Sequence, residues 1–304
     1  MKRVLVTGAR GFIGRHCLPL LTKTGFEVHA VAGPAPSTDH FQEVAVWHRI
    51  DLLDASATDA LLHCVQPTHV LHFAWFTQHG AFWTGTENLR WVGATLHLLE
   101  AAAACGAKRF VGIGTCAEYD PAVELCDEVA SPLAPASLYG ICKRATLDCL
   151  RAAAPQLEVS HAWARLFFPY GPHDKATRLI PFVVGSLLSG KPAECSPGTQ
   201  VRDLLHVRDV ASAMVALLEC DVQGPVNVAS GNGVEVREVL KRIGELIGRP
   251  ELIRFGALPM RPDEAPRWVA KTERLNREVG WYPSLSLEQG LKDTIAQLRG
   301  SSTP

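Results

Sequence analysis

Tyr139 and Lys143 stand four residues apart in the run Leu138-Tyr139-Gly140-Ile141-Cys142-Lys143. In a helix that spacing puts both side chains on one face. A free phenol ionises near about 10 and is a weak acid–base group at neutral pH. A nearby ammonium favours the phenolate and brings the group into a working range, so the pair can move a proton on and off an oxygen. Thr115 follows the apolar run 109–113 and offers a hydroxyl to the same oxygen. A second feature answers the first. The apolar run Val4-Leu5-Val6 leads into Thr7-Gly8-Ala9-Arg10-Gly11-Phe12-Ile13-Gly14. Glycines at 8, 11 and 14 let a backbone turn tightly and approach a pyrophosphate, and the following helix start offers free N–H groups and a positive dipole end. A dinucleotide beside a proton relay points to redox chemistry on an alcohol or ketone.

The elements that must hold these residues can be read from periodicity. Apolar runs at 3–6, 27–31, 44–47, 69–73, 109–113 and 159–166 alternate with helical patterns at 12–24, 56–64, 87–105 and 137–153. Val-, Ile- and Leu-rich runs without polar alternation fit strands buried on both faces of a parallel sheet. Strands alternating with helices imply right-handed crossovers. The expected class is therefore α/β, a doubly wound parallel (Rossmann) sheet with a smaller α/β substrate-binding lobe. After Arg165 the pattern loosens and proline and glycine rise, in Pro169-Tyr170-Gly171-Pro172 and Pro197-Gly198. The first lobe is drawn as 1–168 plus 203–229, with a helix over 207–219 and a strand over 225–228. The second is drawn as 169–202 plus 230–304, with helices over 235–247 and 287–298.

Composition narrows the partners. With 304 residues the chain exceeds the usual single core, which agrees with two lobes. A formal net charge of −1 without a basic run speaks against nucleic acid or an anionic membrane as partner. No apolar stretch reaches a membrane span, and Lys2-Arg3 runs directly into a strand rather than a signal peptide. The nine cysteines are odd in number and include no Cys-x-x-Cys, so neither a metal site nor a disulfide framework is expected. A cytoplasmic enzyme is the expectation.

Cofactor choice turns on the end of the second strand. NAD binders usually place an acidic residue there for the ribose hydroxyls. Here the run ends Val31-Ala32-Gly33-Pro34, without an acid, while Arg10 in the glycine loop can pair with a 2′-phosphate. NADP(H) is favoured over NAD(H). Asp51-Leu52 ends the third strand, where the carboxylate either meets adenine or caps the next turn. Phe73-Ala74-Trp75 closes the fourth, where the chain approaches the cofactor.

These residues resemble the extended short-chain dehydrogenase/reductase family, in particular its nucleotide-sugar epimerases, dehydratases and reductases. The resemblance covers nearly the whole chain. It rests on Thr7-Gly8-x-x-Gly11-Phe12-Ile13-Gly14, Asp51-Leu52, Leu71-His72-Phe73-Ala74, Thr115, Tyr139-x-x-x-Lys143 and Tyr170-Gly171-Pro172, and continues through Arg202-Asp203-Leu204, His206-Val207-x-Asp209, Asn227-Val228-Ala229-Ser230-Gly231 and Gly280-Trp281-x-Pro283. It implies Thr115, Tyr139 and Lys143 as the catalytic set, with Tyr139 and Lys143 also at the nicotinamide ribose. A nucleotide-diphosphate sugar is the implied substrate, and a homodimer through the helices at 87–105 and 137–153 follows by analogy.

Departures from the family narrow the reaction. Dehydratases carry Asp-Glu after the catalytic threonine, where this chain has Cys116-Ala117. Glu118 stands one place further on, and an extended segment would turn it to the other face, so a structural role is expected. Phe168 occupies the position where epimerases carry an asparagine beside cofactor and substrate. The run through His173 resembles that of epimerase/reductases, and His173 and Cys116 are placed at the sugar pocket. Arg202, Arg261 and Arg178 are the candidates to grip the diphosphate, since guanidinium forks match its oxygens. The loop 75–83 is rich in aromatic residues and suits a sugar or base. The implied reaction is NADPH-dependent reduction of the C4 ketone of a nucleotide-linked 4-keto-6-deoxyhexose. The alternatives are an NAD-dependent sugar-nucleotide 4-epimerase and, less favoured, a non-catalytic dinucleotide-sensing subunit.

Overall fold

The computed structural model describes residues 2–34, 44–260 and 264–301. In chain order, the first part runs β1 (Arg3–Thr7), α1 (Gly14–Lys23), β2 (Glu27–Ala32), β3 (Val46–Arg49), α2 (Ala55–Val65), β4 (His69–His72), α3 (Glu87–Ala104), β5 (Arg109–Thr115), β6 (Leu125–Cys126), α4 (Leu138–Ala153) and β7 (Ser160–Leu166). It continues with β8 (Phe168–Tyr170), α5 (Leu179–Leu188), β9 (Ala193–Cys195), β10 (Val201–His206), α6 (Val207–Glu219) and β11 (Gly224–Val228). The remainder is β12 (Gly233–Glu235), α7 (Val236–Ile247), β13 (Ile253–Phe255), β14 (Arg267–Ala270) and α8 (Leu287–Ser301).

Seven parallel strands form the main sheet in the order β11-β7-β5-β4-β1-β2-β3. The order reverses at β1, so the strand ends there open into a crevice, the place where doubly wound sheets bind ligands. Both faces are covered. One core gathers Val4, Val6, Leu18 and Leu21 with Val210, Met214 and Leu217 under α1 and α6. The other gathers Leu62, Val70, Leu98, Leu99, Leu147 and Trp163 under α2, α3 and α4. Each such fully buried Leu or Val contributes roughly 1.5–3 kcal/mol.

The second lobe has its own core, in which Val183, Leu187, Leu240, Ile243 and Leu291 join α5, α7 and α8. Beside it lie a separate sheet, β12-β10-β14-β6 with β8 paired to β10, and a two-stranded sheet of β13 and β9. Residues 203–206 of β10 pair with β8 and β12, and it is α6 that packs back on α1. Helix α5 is absent from the periodic reading because its sequence, Leu-Ile-Pro-Phe-Val-Val-Gly-Ser-Leu-Leu, is apolar on nearly every face. Among the described residues, no helix is long and apolar enough to cross a membrane.

Candidate active site

Thr115 ends β5, and the chain turns at once into a single 3-10 turn, Cys116–Glu118. The turn is capped reciprocally. Ala117 N–H donates to Thr115 Oγ1 at 3.2 Å, and Thr115 N–H donates to Glu118 Oε1 at 2.9 Å. Two backbone donors at the strand end are thereby satisfied, and Thr115 is fixed at the crevice. Opposite it, Ser137 caps α4 by accepting from Gly140 N–H at 3.1 Å, which starts the helix immediately before Tyr139. Gly140 lies so close to the Ala117 carbonyl that any β-carbon there would collide. That missing atom lets α4 seat on the turn and brings Tyr139 within reach of the Thr115 hydroxyl.

Lys143 follows one turn later and is buried. Its ammonium donates to the Ile113 carbonyl at 2.8 Å and lies 3.6 Å from the centre of the Trp75 ring. Burial pulls its pKa down to about 7, against the opposing pull of Glu118. Burial also pushes the Tyr139 phenol above its ordinary value, while the Thr115 hydroxyl and the Arg178 charge work the other way. Without a bound cation the site thus disfavours charge on both members of the pair, and the positive ring of an oxidised nicotinamide would favour the phenolate. The catalytic set expected from the sequence is brought together as one constellation.

Glu118 has the structural role expected of it. It is fully buried, accepts from Thr115 N–H and Trp163 Nε1 through one oxygen, and from Arg165 Nε at 2.8 Å through the other. Arg165 reaches on to the Tyr119 hydroxyl, and that hydroxyl donates to Asn227. Cys116 and Ala117 are buried neighbours of Thr115, and burial raises the Cys116 thiol beyond any use as an acid or base at neutral pH.

The residues at the crevice fit a dinucleotide. Gly8 adopts φ +64°, a left-handed conformation suited to glycine, and a β-carbon on it would stand 2.8 Å from Ala74 N. Gly11 and Gly14 fold over the Gly8 carbonyl, with β-carbon positions 2.9 and 2.5 Å from it. The loop is thus pressed against Phe73 and Ala74 at the end of β4. Phe12 lies in that loop, and Ile13 caps α1 without a side-chain hydrogen bond, with no acidic residue in the first turn. The N–H groups that a pyrophosphate needs are therefore not taken by a side-chain cap. Arg10 lies over the Trp47 ring of β3 at 5.4 Å, beside the acid-free end of β2. Asp51 caps the next turn by accepting from Leu53 N–H at 3.0 Å, and Leu52 is buried beneath it.

At the end of β4 the Trp75 indole faces Lys143, and its Nε1 donates to the buried Asn88 at 2.8 Å. Phe168 lies in β8, and its ring stands 5.2 Å from the Arg202 guanidinium and 6.2 Å from the Trp268 ring. Arg202 lies alongside both rings, 5.2 Å from Phe168 and 5.7 Å from Trp268, and pairs with Glu264 at 2.9 Å. Its neighbour Asp203 is engaged elsewhere, by Ser230, Gly231 and Ala270.

The segment 172–178 reaches from the second lobe to the first. The Pro172 carbonyl meets His16 Nε2 at 3.3 Å, Lys175 Nζ donates to the Thr77 carbonyl at 2.9 Å, and Arg178 lies over the Phe82 ring at 5.6 Å. Exposed His173 adopts φ +68° and stands 5.8 Å from His16, ring centre to ring centre. Arg261 lies outside the described residues. Residues that the sequence reading missed are Asn88, whose partners Trp75, Phe82 and Gly85 lie in the loop just before it, and Glu264 and Trp268, whose partner Arg202 is remote along the chain. Phe82 and Trp83 of the aromatic loop stand edge-on to Tyr139, at 5.1 and 5.8 Å, and wall its ring. Among the described residues, no group of three or more His, Cys, Asp or Glu could hold a metal ion.

Residues 4–229 match the NAD dependent epimerase/dehydratase family. Over 313 residues the chain is 27% identical to a UDP-glucose 4-epimerase of Rhizobium meliloti (strain 1021), covering 93% of each protein. It is 25% identical over 302 residues to a CDP-abequose synthase of Salmonella muenchen, covering 97% of each. Among solved structures, MoeE5 in complex with UDP-glucuronic acid and NAD superposes with a TM-score of 0.86 at 31% identity, over 98% of this chain and 99% of that one.

Proposed function

The chain belongs to the NAD dependent epimerase/dehydratase family, and within it we propose a nucleotide-sugar 4-ketoreductase that uses NADPH on a nucleotide-linked 4-keto-6-deoxyhexose. One observation carries the choice. Thr115, Tyr139 and Lys143 are assembled, yet the next residues offer no second acid or base. Cys116 and Ala117 are buried, and the Glu118 carboxylate is taken up by Thr115, Trp163 and Arg165. Water loss needs an acid and a base beyond the tyrosine, whereas ketone reduction needs only a proton at the carbonyl oxygen.

The dinucleotide, when bound, supplies the hydride. Gly8, Gly11, Phe12, Ile13 and Gly14 would hold its pyrophosphate, and Arg10 a 2′-phosphate. Tyr139 delivers the proton to the carbonyl oxygen, Thr115 orients that oxygen, and Lys143 keeps Tyr139 in a usable ionisation range. Arg202 and Arg178 would hold the diphosphate, with Cys116 and His173 at the sugar. For Arg202 this requires the guanidinium to leave, or share, its pairing with Glu264. General acid assistance of this kind is worth about 10²–10⁴-fold.

The second reading is an NAD-dependent 4-epimerase. It is favoured by the relatives named as UDP-glucose 4-epimerases and by the NAD in the MoeE5 complex. The contacts of 172–178 with His16, Thr77 and Phe82, which close one side of the crevice, suit a retained cofactor as well. One assay separates the two. NADPH, then NADH, is offered with GDP-, dTDP- and CDP-4-keto-6-deoxyhexoses, and loss of reduced-nicotinamide absorbance is followed. Stoichiometric oxidation is expected. No oxidation, together with NAD released on denaturation and interconversion of UDP-glucose and UDP-galactose, would replace the reductase by the epimerase.

A homodimer through α3 and α4 is part of the same proposal. Leu89 and Ile141 on those helices are 57% and 50% exposed, apolar surface that a second copy would cover. Sedimentation of the purified protein as a monomer at micromolar concentration would remove it.

A further inference from the structure

The Lys143 ammonium occupies an aromatic setting. Its Nζ lies 3.6 Å from the centre of the Trp75 ring and 5.6 Å from that of Trp163. Trp75 is itself anchored: its Nε1 donates to Asn88 at 2.8 Å, and Asn88, fully buried, donates in turn to the carbonyls of Phe82 and Gly85, each at 2.8 Å. A chain of hydrogen bonds thus sets the angle of the indole plane against the amine.

The chargeable groups around Lys143 explain why that face matters. Glu118 approaches from the turn after β5, but its carboxylate is already matched by Arg165 of β7 at 2.8 Å. His72 of β4 is buried between Thr7 and Thr95, and burial, then the Lys143 charge, keeps it neutral. Tyr139, on α4 itself, is the group to be served. No unmatched anion therefore faces the amine among these residues. A neutral amine would leave Tyr139 without the charge that favours its phenolate.

We propose that Trp75 is a positioning residue for the Tyr139–Lys143 pair, whose indole face keeps the buried Lys143 amine protonated and seated against the Ile113 carbonyl. A π face attracts an ammonium and not a neutral amine, and more strongly where water is excluded. The inference rests on the redox role proposed above for the pair, and it assigns to Trp75 a task on Lys143.

The test follows the ionisation of Lys143 itself. Lysine labelled with ¹⁵N at Nζ is incorporated, the Lys143 signal is identified by its absence in Lys143→Met, and its titration is followed in three backgrounds. Trp75→Phe, with a smaller face, is expected to lower the midpoint measurably. Trp75→Met, smaller again and with no π face, should lower it by about one unit or more. A fluorinated tryptophan placed at position 75 keeps the shape and weakens the face, so it reports even if the methionine variant fails to fold, and it too should lower the midpoint. The descending high-pH limb of kcat should move to lower pH by the same amount. A midpoint that is unchanged, or that rises as the pocket admits water, in the fluorinated protein would overturn the proposal. No substrate enters this titration. An unmoved midpoint in a protein that oxidises NADPH would remove the role of Trp75 and leave the reductase. A lowered midpoint in a protein inert toward every sugar nucleotide would do the reverse.

Discussion

Arg165 donates from Nε to Glu118 Oε2 at 2.8 Å with both side chains sealed from solvent, and this pair stands directly behind Thr115. The carboxylate is triply engaged, so its burial is compensated only while every partner is present. Breaking a buried pair by removing one member typically costs about 3–5 kcal/mol, because the other charge is left unmatched. Arg165→Met is expected to lower stability by about that amount in denaturant unfolding. The double variant Arg165→Met with Glu118→Gln should cost clearly less than the sum of the two single changes. Additive losses would show that the pair is not coupled.

Tyr139→Phe removes the proton donor while keeping the ring between Phe82 and Trp83. Turnover should fall by about 10²–10⁴-fold, with little change in melting temperature. Thr115→Val, which removes a hydrogen bond at the reacting oxygen, should cost about 10²–10³-fold in kcat. Steady-state kinetics on the accepted substrate checks both, and retention of near-normal turnover by the phenylalanine variant would dismiss the assigned role.

Lys143 links stability to pH in a defined direction. Its pKa in the folded protein is lowered to about 7 by burial, below its value in the unfolded chain. Between those values the unfolded state binds more protons, so stability rises as pH rises through that window, and the full penalty of the buried charge applies below about pH 7. Lys143→Met should therefore abolish activity yet raise the melting temperature. The gain should be largest at pH 6, at least about 2 °C, and should fade toward pH 10. Thermal unfolding across that range measures it, and an equal gain at all pH values would contradict the linkage.

Arg202 is expected to act on binding rather than on chemistry. Lysine lacks the planar fork, so Arg202→Lys should raise KM for the sugar nucleotide by about 10-fold or more with kcat largely kept. Glu264→Gln removes the charge that pairs with the guanidinium and should lower KM. A KM that rises in Glu264→Gln would mean that the carboxylate holds Arg202 in place for the ligand rather than competing with it.

The glycine loop, the Tyr139–Lys143 pair and the strands of the main sheet were legible because their signals are local. A turn needs glycine where it bends, and a parallel strand carries its own apolar run. Helix α5 was not legible, since a segment buried all round, with Pro181 and Gly185 inside it, has no amphipathic period. The pairing of Arg202 with Glu264, 62 residues away in sequence, has no local signature. The same holds for the ring of Trp75 set against Lys143. The contact of the Phe168 ring with Arg202, which reaches across from β10, likewise has no local signature.

Gly140 carries one more implication, for redesign. The seat of Tyr139 depends on main chain meeting main chain, at the carbonyl of Ala117, rather than on the surrounding side chains. Residues 76–81 and 173, which do not touch the Tyr139 ring or the Lys143 amine, can then vary without displacing the phenol, while Trp75 is kept for Lys143. Selection for a different sugar should accordingly draw its changes from those positions, and libraries built there should keep turnover where libraries built at 75, 117 and 140 lose it.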